Sequence, residues 1–285
     1  MNSRGRLCVH RTKDGLSSSY LINGSFNVHT LCIVSDSNFD YLFFVMSSMI
    51  PKGSLVLVTG VNGFIAAQTA KQFLELGYKV RGTVRSQTKS KWLVDDAFRA
   101  ETSSGAFELV TVEDIAKENA FQDAVRGVSS IIHVATIASL DPDPHNVVPQ
   151  TIAAVVNLLK DAVKEPSVKS FVFTSSLGAA GMPLTDVPFE ITKDSWNDMA
   201  VSLAWAPSPY ETERGLVTYM ASKVEAEKAF WKFVEDEKPS FTANTVLPFT
   251  TFGPLLSAQQ TGSTSAWLCS LYRGDASAAG LLKAG

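Results

Sequence analysis

Tyr219 and Lys223 stand four residues apart in Tyr219-Met220-Ala221-Ser222-Lys223, a spacing that puts both on one face of a helix, a turn apart. A free phenol titrates at about pH 10, too weak an acid for brisk proton transfer at neutral pH. A neighbouring ammonium favours the phenolate and is expected to lower that value. A phenol so tuned can protonate a developing alkoxide while hydride arrives on the carbonyl carbon. Ser176 ends the apolar run Phe171-Val172-Phe173-Thr174-Ser175-Ser176 and offers a hydroxyl to the same oxygen. A tyrosine and a lysine fall four apart by chance often enough that the pair needs support from the elements around it.

The first such element is Val58-Thr59-Gly60-Val61-Asn62-Gly63-Phe64-Ile65-Ala66. The branched run Ser54 to Val58 before it reads as a strand. Ala66, Ala70, Phe73 and Leu74 after it recur with a helical period until Gly77. In a strand, glycine turn and helix of this kind, Gly60 permits the tight turn and Gly63 lets backbone approach a pyrophosphate at the helix N-terminus. Ala66 allows close packing of helix on strand. An ordinary strand-helix turn is the alternative.

Lys79 to Val84 reads as a second strand, followed by Arg85-Ser86-Gln87-Thr88-Lys89-Ser90-Lys91. An acidic residue there would bind a ribose 2′-hydroxyl and favour NAD. Three cations stand there instead, which favours the 2′-phosphate of NADP(H), with Arg85 and Lys89 as the ligands. A solvated basic loop is the alternative. Lys91 to Ala100 can form a helix and Phe107 to Val112 a third strand. Asp114-Ile115 is placed either to cap an adenine ring or, through Asp114, to cap the next helix, expected over Ala120 to Val125. Ser130 to Ala135 is a fourth strand, and its His133 reads as a satisfied structural residue. Ile152, Val155, Val156, Leu159 and Val163 mark one face of a long helix before the fifth strand. An irregular stretch at 177–217 precedes the helix opened by Tyr219, and Thr242 to Leu247 is a sixth strand. Regular strand-helix alternation predicts a doubly wound parallel α/β sheet (a Rossmann architecture), with ligands outside the carboxyl ends of the strands.

Hydrophobic residues make up 45% of the 285 and charged residues 19%, as in an ordinary soluble protein. A net charge of −3 gives no reason to expect a nucleic-acid partner. The run Tyr41 to Met46 is too short to span a bilayer, so no membrane role is expected. Cys8, Cys32 and Cys269 suit neither a disulfide framework nor a metal site, which points to a reducing, cytoplasmic setting. Residues 1–48 lack sustained periodicity and are expected to be a disordered or spurious extension, with Met46 or Met49 as the working start. Residues 49–253 are expected to be the nucleotide-binding domain, with 177–217 as a long substrate-side loop, and 254–285 the start of an incomplete substrate lobe.

Taken together, these residues resemble the extended short-chain dehydrogenase/reductase family, in the branch of dihydroflavonol reductases and yeast-type aldehyde and methylglyoxal reductases. The resemblance is carried by Thr59 to Ile65, Gly82 to Arg85, Asp114-Ile115, His133 to Thr136, Phe173 to Ser176, Tyr219 to Lys223 and Pro248 to Pro254. It implies Ser176 as a catalytic serine, Tyr219 as acid/base, and Lys223 as the residue that holds the nicotinamide ribose. It also implies cofactor contacts at Gly60, Asn62, Gly63, Phe64, Ile65, Arg85, Lys89, Val134, Ala135, Thr136, Pro248 and Thr251. The expected activity is NADPH-dependent reduction of a small carbonyl compound by a monomer or homodimer. Two rivals remain at this stage. One is a sugar-nucleotide epimerase or dehydratase, or a hydroxysteroid dehydrogenase, and the Arg85 cluster opposes the NAD-recycling version of it. The other is an NADP-binding protein without activity.

Overall fold

The computed structural model describes residues 6–12, 15–21, 50–182, 190–260, 269–270 and 272–274. Met46, Met49 and most of the expected lobe beyond residue 260 lie outside them. Six strands run parallel: β3 (Leu55–Val58), β4 (Lys79–Val84), β5 (Phe107–Thr111), β6 (Ser130–His133), β7 (Ser170–Thr174) and β8 (Thr242–Pro248). Their order is β8-β7-β6-β3-β4-β5. The chain therefore moves outward from β3 to β5, returns to the other side of β3 with β6, and moves outward again. The reversal puts a crevice at the carboxyl ends of β3 and β6, where ligands of doubly wound sheets bind. The expected architecture is observed.

Both faces of the sheet are covered, as the near-continuous apolar strands require. Successive residues of one strand enter opposite cores. Leu57 and Ile131 face α3 (Val148–Val163) and α6 (Arg214–Glu237), with Phe171, Phe173, Leu158, Leu159 and Phe230. Val56, Val58 and Ile132 face α1 (Phe64–Glu75), with Ala66, Ala67 and Ala70 against them.

Several elements differ from the sequence reading. Residues 120–125 form turns rather than a helix, and the Phe121 N–H bonds to the Asp161 carboxylate of α3 at 3.2 Å. The expected helix at 91–100 is replaced by a wide π-helical turn at Leu93–Ala97 and the short α2 at Arg99–Ser103. The stretch 177–217 holds α4 (Leu177–Ala180) and α5 (Asp198–Ala204). Asn197 starts α5, its side chain accepting from the Ala200 N–H at 3.1 Å. The helix expected to open at Tyr219 begins five residues earlier, so Tyr219 and Lys223 are interior to α6. Finally, the N-terminal extension, expected to carry no element, contains β1 (Arg6–Thr12) and β2 (Gly15–Leu21). They form an antiparallel hairpin, with β1 also antiparallel to β8.

Candidate active site

The glycine turn leaves β3 and enters α1 at the crevice. Gly60 has φ of +65°, and a Cβ there would lie 3.1 Å from the Cβ of Ala135. Only glycine accommodates both constraints. The turn is stitched to β4, since the Gly60 N–H donates to Thr83 Oγ1 at 3.2 Å and the Val61 N–H to the Thr83 carbonyl at 3.0 Å. Gly63 is extended and its N–H is taken by the Gly60 carbonyl at 2.8 Å. It precedes the first turn of α1, where the N–H groups of Phe64 and Ile65 have no carbonyl one turn back to bond. These groups and the helix dipole suit a phosphate. Asn62 is exposed beside them, while the Phe64 ring is buried.

Across the crevice, residues 134–136 leave β6. Thr59 fixes this segment, its Oγ1 accepting from the N–H groups of Val134 and Ala135 at 3.0 Å each. The same oxygen lies 2.8 Å from His133 Nδ1. Thr136 Oγ1 is buried without a hydrogen-bond partner among the described residues. A buried hydroxyl left alone is costly, and this one borders the crevice, as a hydroxyl waiting for a ligand atom would.

Arg85 and Lys89 sit past the end of β4, exposed. Among the described residues no ion pair engages either cation, so both are available to an anion. Asp114 is exposed, and one of its oxygens accepts from the Ala116 N–H at 2.9 Å, which closes a local turn. Ile115 packs partly into the α3/α6 core. Pro248 ends β8, and the Thr251 hydroxyl donates to the Phe249 carbonyl at 2.9 Å. Beyond it the chain folds back on the glycine turn. The buried Gln260 donates to the Gly63 carbonyl at 3.1 Å, and Gln68 of α1 to the Pro254 carbonyl at 2.8 Å.

Ser176 follows β7 and caps α4, its Oγ accepting from the Gly178 N–H at 3.2 Å. That hydroxyl is also near enough to the Tyr219 phenol to influence its titration. Lys223 is buried one turn along α6 from Tyr219, its Nζ donating to the Thr174 carbonyl at 3.2 Å. The ammonium lies 5.4 Å from the centre of the Phe173 ring and 6.0 Å from that of Tyr219. Ser176, Tyr219 and Lys223 are thus brought together at the carboxyl end of β7. Burial lowers the Lys223 ammonium to about 8, and Glu227 partly opposes the shift. Burial pushes the Tyr219 phenol above its ordinary value, and the Ser176 hydroxyl pulls it back only in part. The sequence reading had the phenol lowered by Lys223. Instead desolvation dominates, because the fold buries the phenol.

Glu227 was not legible as part of this site. It is fully buried on α6, four residues after Lys223. It accepts from Ser175 Oγ at 2.5 Å and from Thr245 Oγ1 at 2.9 Å. Its signal in the sequence is a third polar residue at helical spacing, Tyr219, Lys223, Glu227, which looks the same on a solvated face. Among the described residues no cluster of side chains could hold a metal ion, and no helix is long and apolar enough to cross a membrane.

A family model described as "NAD dependent epimerase/dehydratase family" matches residues 56–283. The chain belongs to this epimerase/dehydratase family. An NAD-dependent epimerase/dehydratase of Aspergillus terreus is 47% identical over 229 residues, covering 80% of this chain and 67% of that protein. Aldehyde reductase 2 of Sporidiobolus salmonicolor is 40% identical over 236 residues, covering 82% and 68%. Among solved structures, yeast methylglyoxal/isovaleraldehyde reductase complexed with NADPH superposes with a TM-score of 0.60 at 28% identity, covering 71% of this chain and 60% of that one. This member of the epimerase/dehydratase family spans about two thirds or less of the length of such relatives.

Proposed function

We propose that this protein reduces an aldehyde or ketone to an alcohol with NADPH. The observation that carries the reading is the convergence of Ser176, which follows β7, with Tyr219 and the buried Lys223 a turn apart on α6, Lys223 being bonded to the end of β7. Two groups that can donate to one oxygen, beside a crevice suited to a dinucleotide, fit carbonyl reduction. NADPH, when bound, supplies the hydride.

The chain's own residues would do the rest. The glycine turn and the first turn of α1 offer N–H groups to the pyrophosphate, and Arg85 and Lys89 offer charge to the 2′-phosphate. Asp114 and Ile115 border the adenine end, the Thr136 hydroxyl gains a partner, and Pro248 to Thr251 flank the nicotinamide end. Ser176 holds the carbonyl oxygen, Tyr219 gives it a proton, and Lys223 holds the ribose and stabilises the phenolate left behind. A phenol raised by burial stays protonated at neutral pH, as a proton donor must. Lys223 is then the group that keeps proton loss from becoming prohibitive. The names of the aldehyde and methylglyoxal reductases support the substrate class.

Tyr219→Phe and Arg85→Ala test the reading together. Tyr219→Phe is expected to lower aldehyde-dependent NADPH oxidation by about 10²–10⁴-fold while leaving NADPH affinity nearly unchanged. Arg85→Ala is expected to weaken NADPH binding by about tenfold or more and spare NADH. Parental turnover in Tyr219→Phe would refute the mechanism. Equal losses for both cofactors in Arg85→Ala would refute the cofactor assignment.

A further inference from the structure

Glu227 is a fully buried carboxylate with no part in the reaction just described. Its oxygens accept from the hydroxyls of Ser175 on the β7 side and Thr245 of β8, so one side chain fastens two strand ends to α6. Ser175 immediately precedes Ser176. On the same face of α6, four residues earlier, stands Lys223, also buried and hydrogen-bonded to Thr174 at the end of β7. An unopposed ammonium in such a place is expensive, and a buried cation that lacks a counter-charge gives up its proton instead.

We infer that Glu227 is a positioning residue: it supplies the buried counter-charge for Lys223 and fixes the ends of β7 and β8 against the face of α6 that carries Tyr219. The ionisable groups around Lys223 are Glu227, which raises it, and Tyr219, whose ring centre lies 6.0 Å away, both on its own helix, and His133 on β6. His133 is coupled to Lys223 as well, and burial keeps that ring neutral far below neutral pH, so it offers no counter-charge. Glu227 is the group that raises Lys223 against the lowering effect of burial.

The consequence can be read without cofactor or substrate. A lysine lowered from 10.5 to about 8 binds fewer protons folded than unfolded between those two values. Stability contributed by this group therefore rises with pH from about 8 upward, as the cost of burying the ammonium disappears. Removing the counter-charge lowers Lys223 further and starts that rise earlier.

The test is thermal unfolding from about pH 6 to about pH 10 on the parent, Glu227→Gln, Lys223→Met and the double variant. Glutamine keeps the shape and can still meet both hydroxyls. The rise is expected to begin about one pH unit lower in Glu227→Gln than in the parent. It is expected to be missing from both variants that carry Lys223→Met. An onset unmoved by Glu227→Gln, or an equal and pH-independent loss with and without Lys223→Met, would overturn the inference. Should Glu227→Gln alone fail to fold, the double variant decides: a folded double supports the coupling, and an unfolded one refutes it.

A second arm rests on the reductase reading and uses NADPH fluorescence. The loss of NADPH affinity with rising pH is expected to set in earlier in Glu227→Gln than in the parent. A parent that does not bind NADPH would refute the cofactor reading and leave the unfolding test to judge Glu227.

Discussion

Thr59 has one hydroxyl proton and three partners. The N–H groups of Val134 and Ala135 both donate to its oxygen, so the proton is directed at His133 Nδ1. His133 is therefore an acceptor at Nδ1, with its own proton on Nε2. Its ring is stacked on Phe173 at 5.8 Å and is held edge-on by Phe121 and Phe171. Burial, then the Lys223 charge, lowers it from 6.5 to about 3. The unfolded chain takes up a proton near 6.5 that the folded one refuses until about 3, so stability falls as the pH drops through that interval. His133→Gln, which keeps an acceptor for Thr59 but cannot titrate, should flatten the melting temperature between about pH 6.5 and 4 relative to the parent. An unchanged acid slope would show that other groups control it. The grouping of the candidate residues Tyr219, Lys223 and Ser176 was legible because a four-residue spacing and a strand end are properties of sequence. The direction of the phenol's shift was not, because desolvation depends on what the fold packs over the ring. Thr59 and Glu227 were silent for a related reason. A threonine just past a strand and a glutamate in a helix look ordinary until the topology brings their partners from 18 to 76 residues away.

At the scale of elements, Gly82 ties the cofactor turn to the sheet. It lies in β4, and a Cβ there would sit 2.4 Å from Cγ1 and 2.9 Å from Cβ of Val61, which is itself fully buried in the glycine turn. The contact is with the branch point of a stiff side chain, so the turn or the strand must shift. Gly82→Ala should lower stability by about 1–3 kcal/mol, the usual cost of overpacking, and weaken NADPH binding as well. Val61→Ala added to it removes the clashing methyl groups and should recover much of both losses. Failure of the second change to rescue the first would place the damage elsewhere. The parallel strands were legible because fully buried strands read as apolar runs, and β4 matches its expected bounds. Short elements were less so. The turns at 120–125 are tied to a carboxylate from α3, 40 residues on, and α5 is capped by a side chain within a stretch of weak periodicity. The start of α6 was not legible because its first turn, from Arg214, lies before the Tyr219–Lys223 spacing that marks the helix.

At the scale of the molecule, the described sheet has eight strands, and the hairpin β1–β2 lies on the β8 side of the six parallel ones. β1 meets β8 from Cys8 opposite Pro248 to Thr12 opposite Asn244, a short antiparallel ladder. The other side of β8 is already paired with β7, from Thr242 to Val246. An isolated two-stranded hairpin is marginal in water, so β1–β2 draws its order from β8 more than it lends. We therefore expect a protein lacking residues 1–45 to fold and to bind NADPH within about twofold of the parent, with a melting temperature lower by no more than about 4 °C, the shift that about 1 kcal/mol produces in a domain of this size. A bare strand edge is also a template for pairing with other chains, so the shortened protein should aggregate at lower concentration. Hydrogen exchange locates the effect: protection should fall at the β8 amides that face β1 and persist at those that face β7. A fall in melting temperature well beyond that range, or lost protection on both sides of β8, would show that the hairpin is an integral part of the domain.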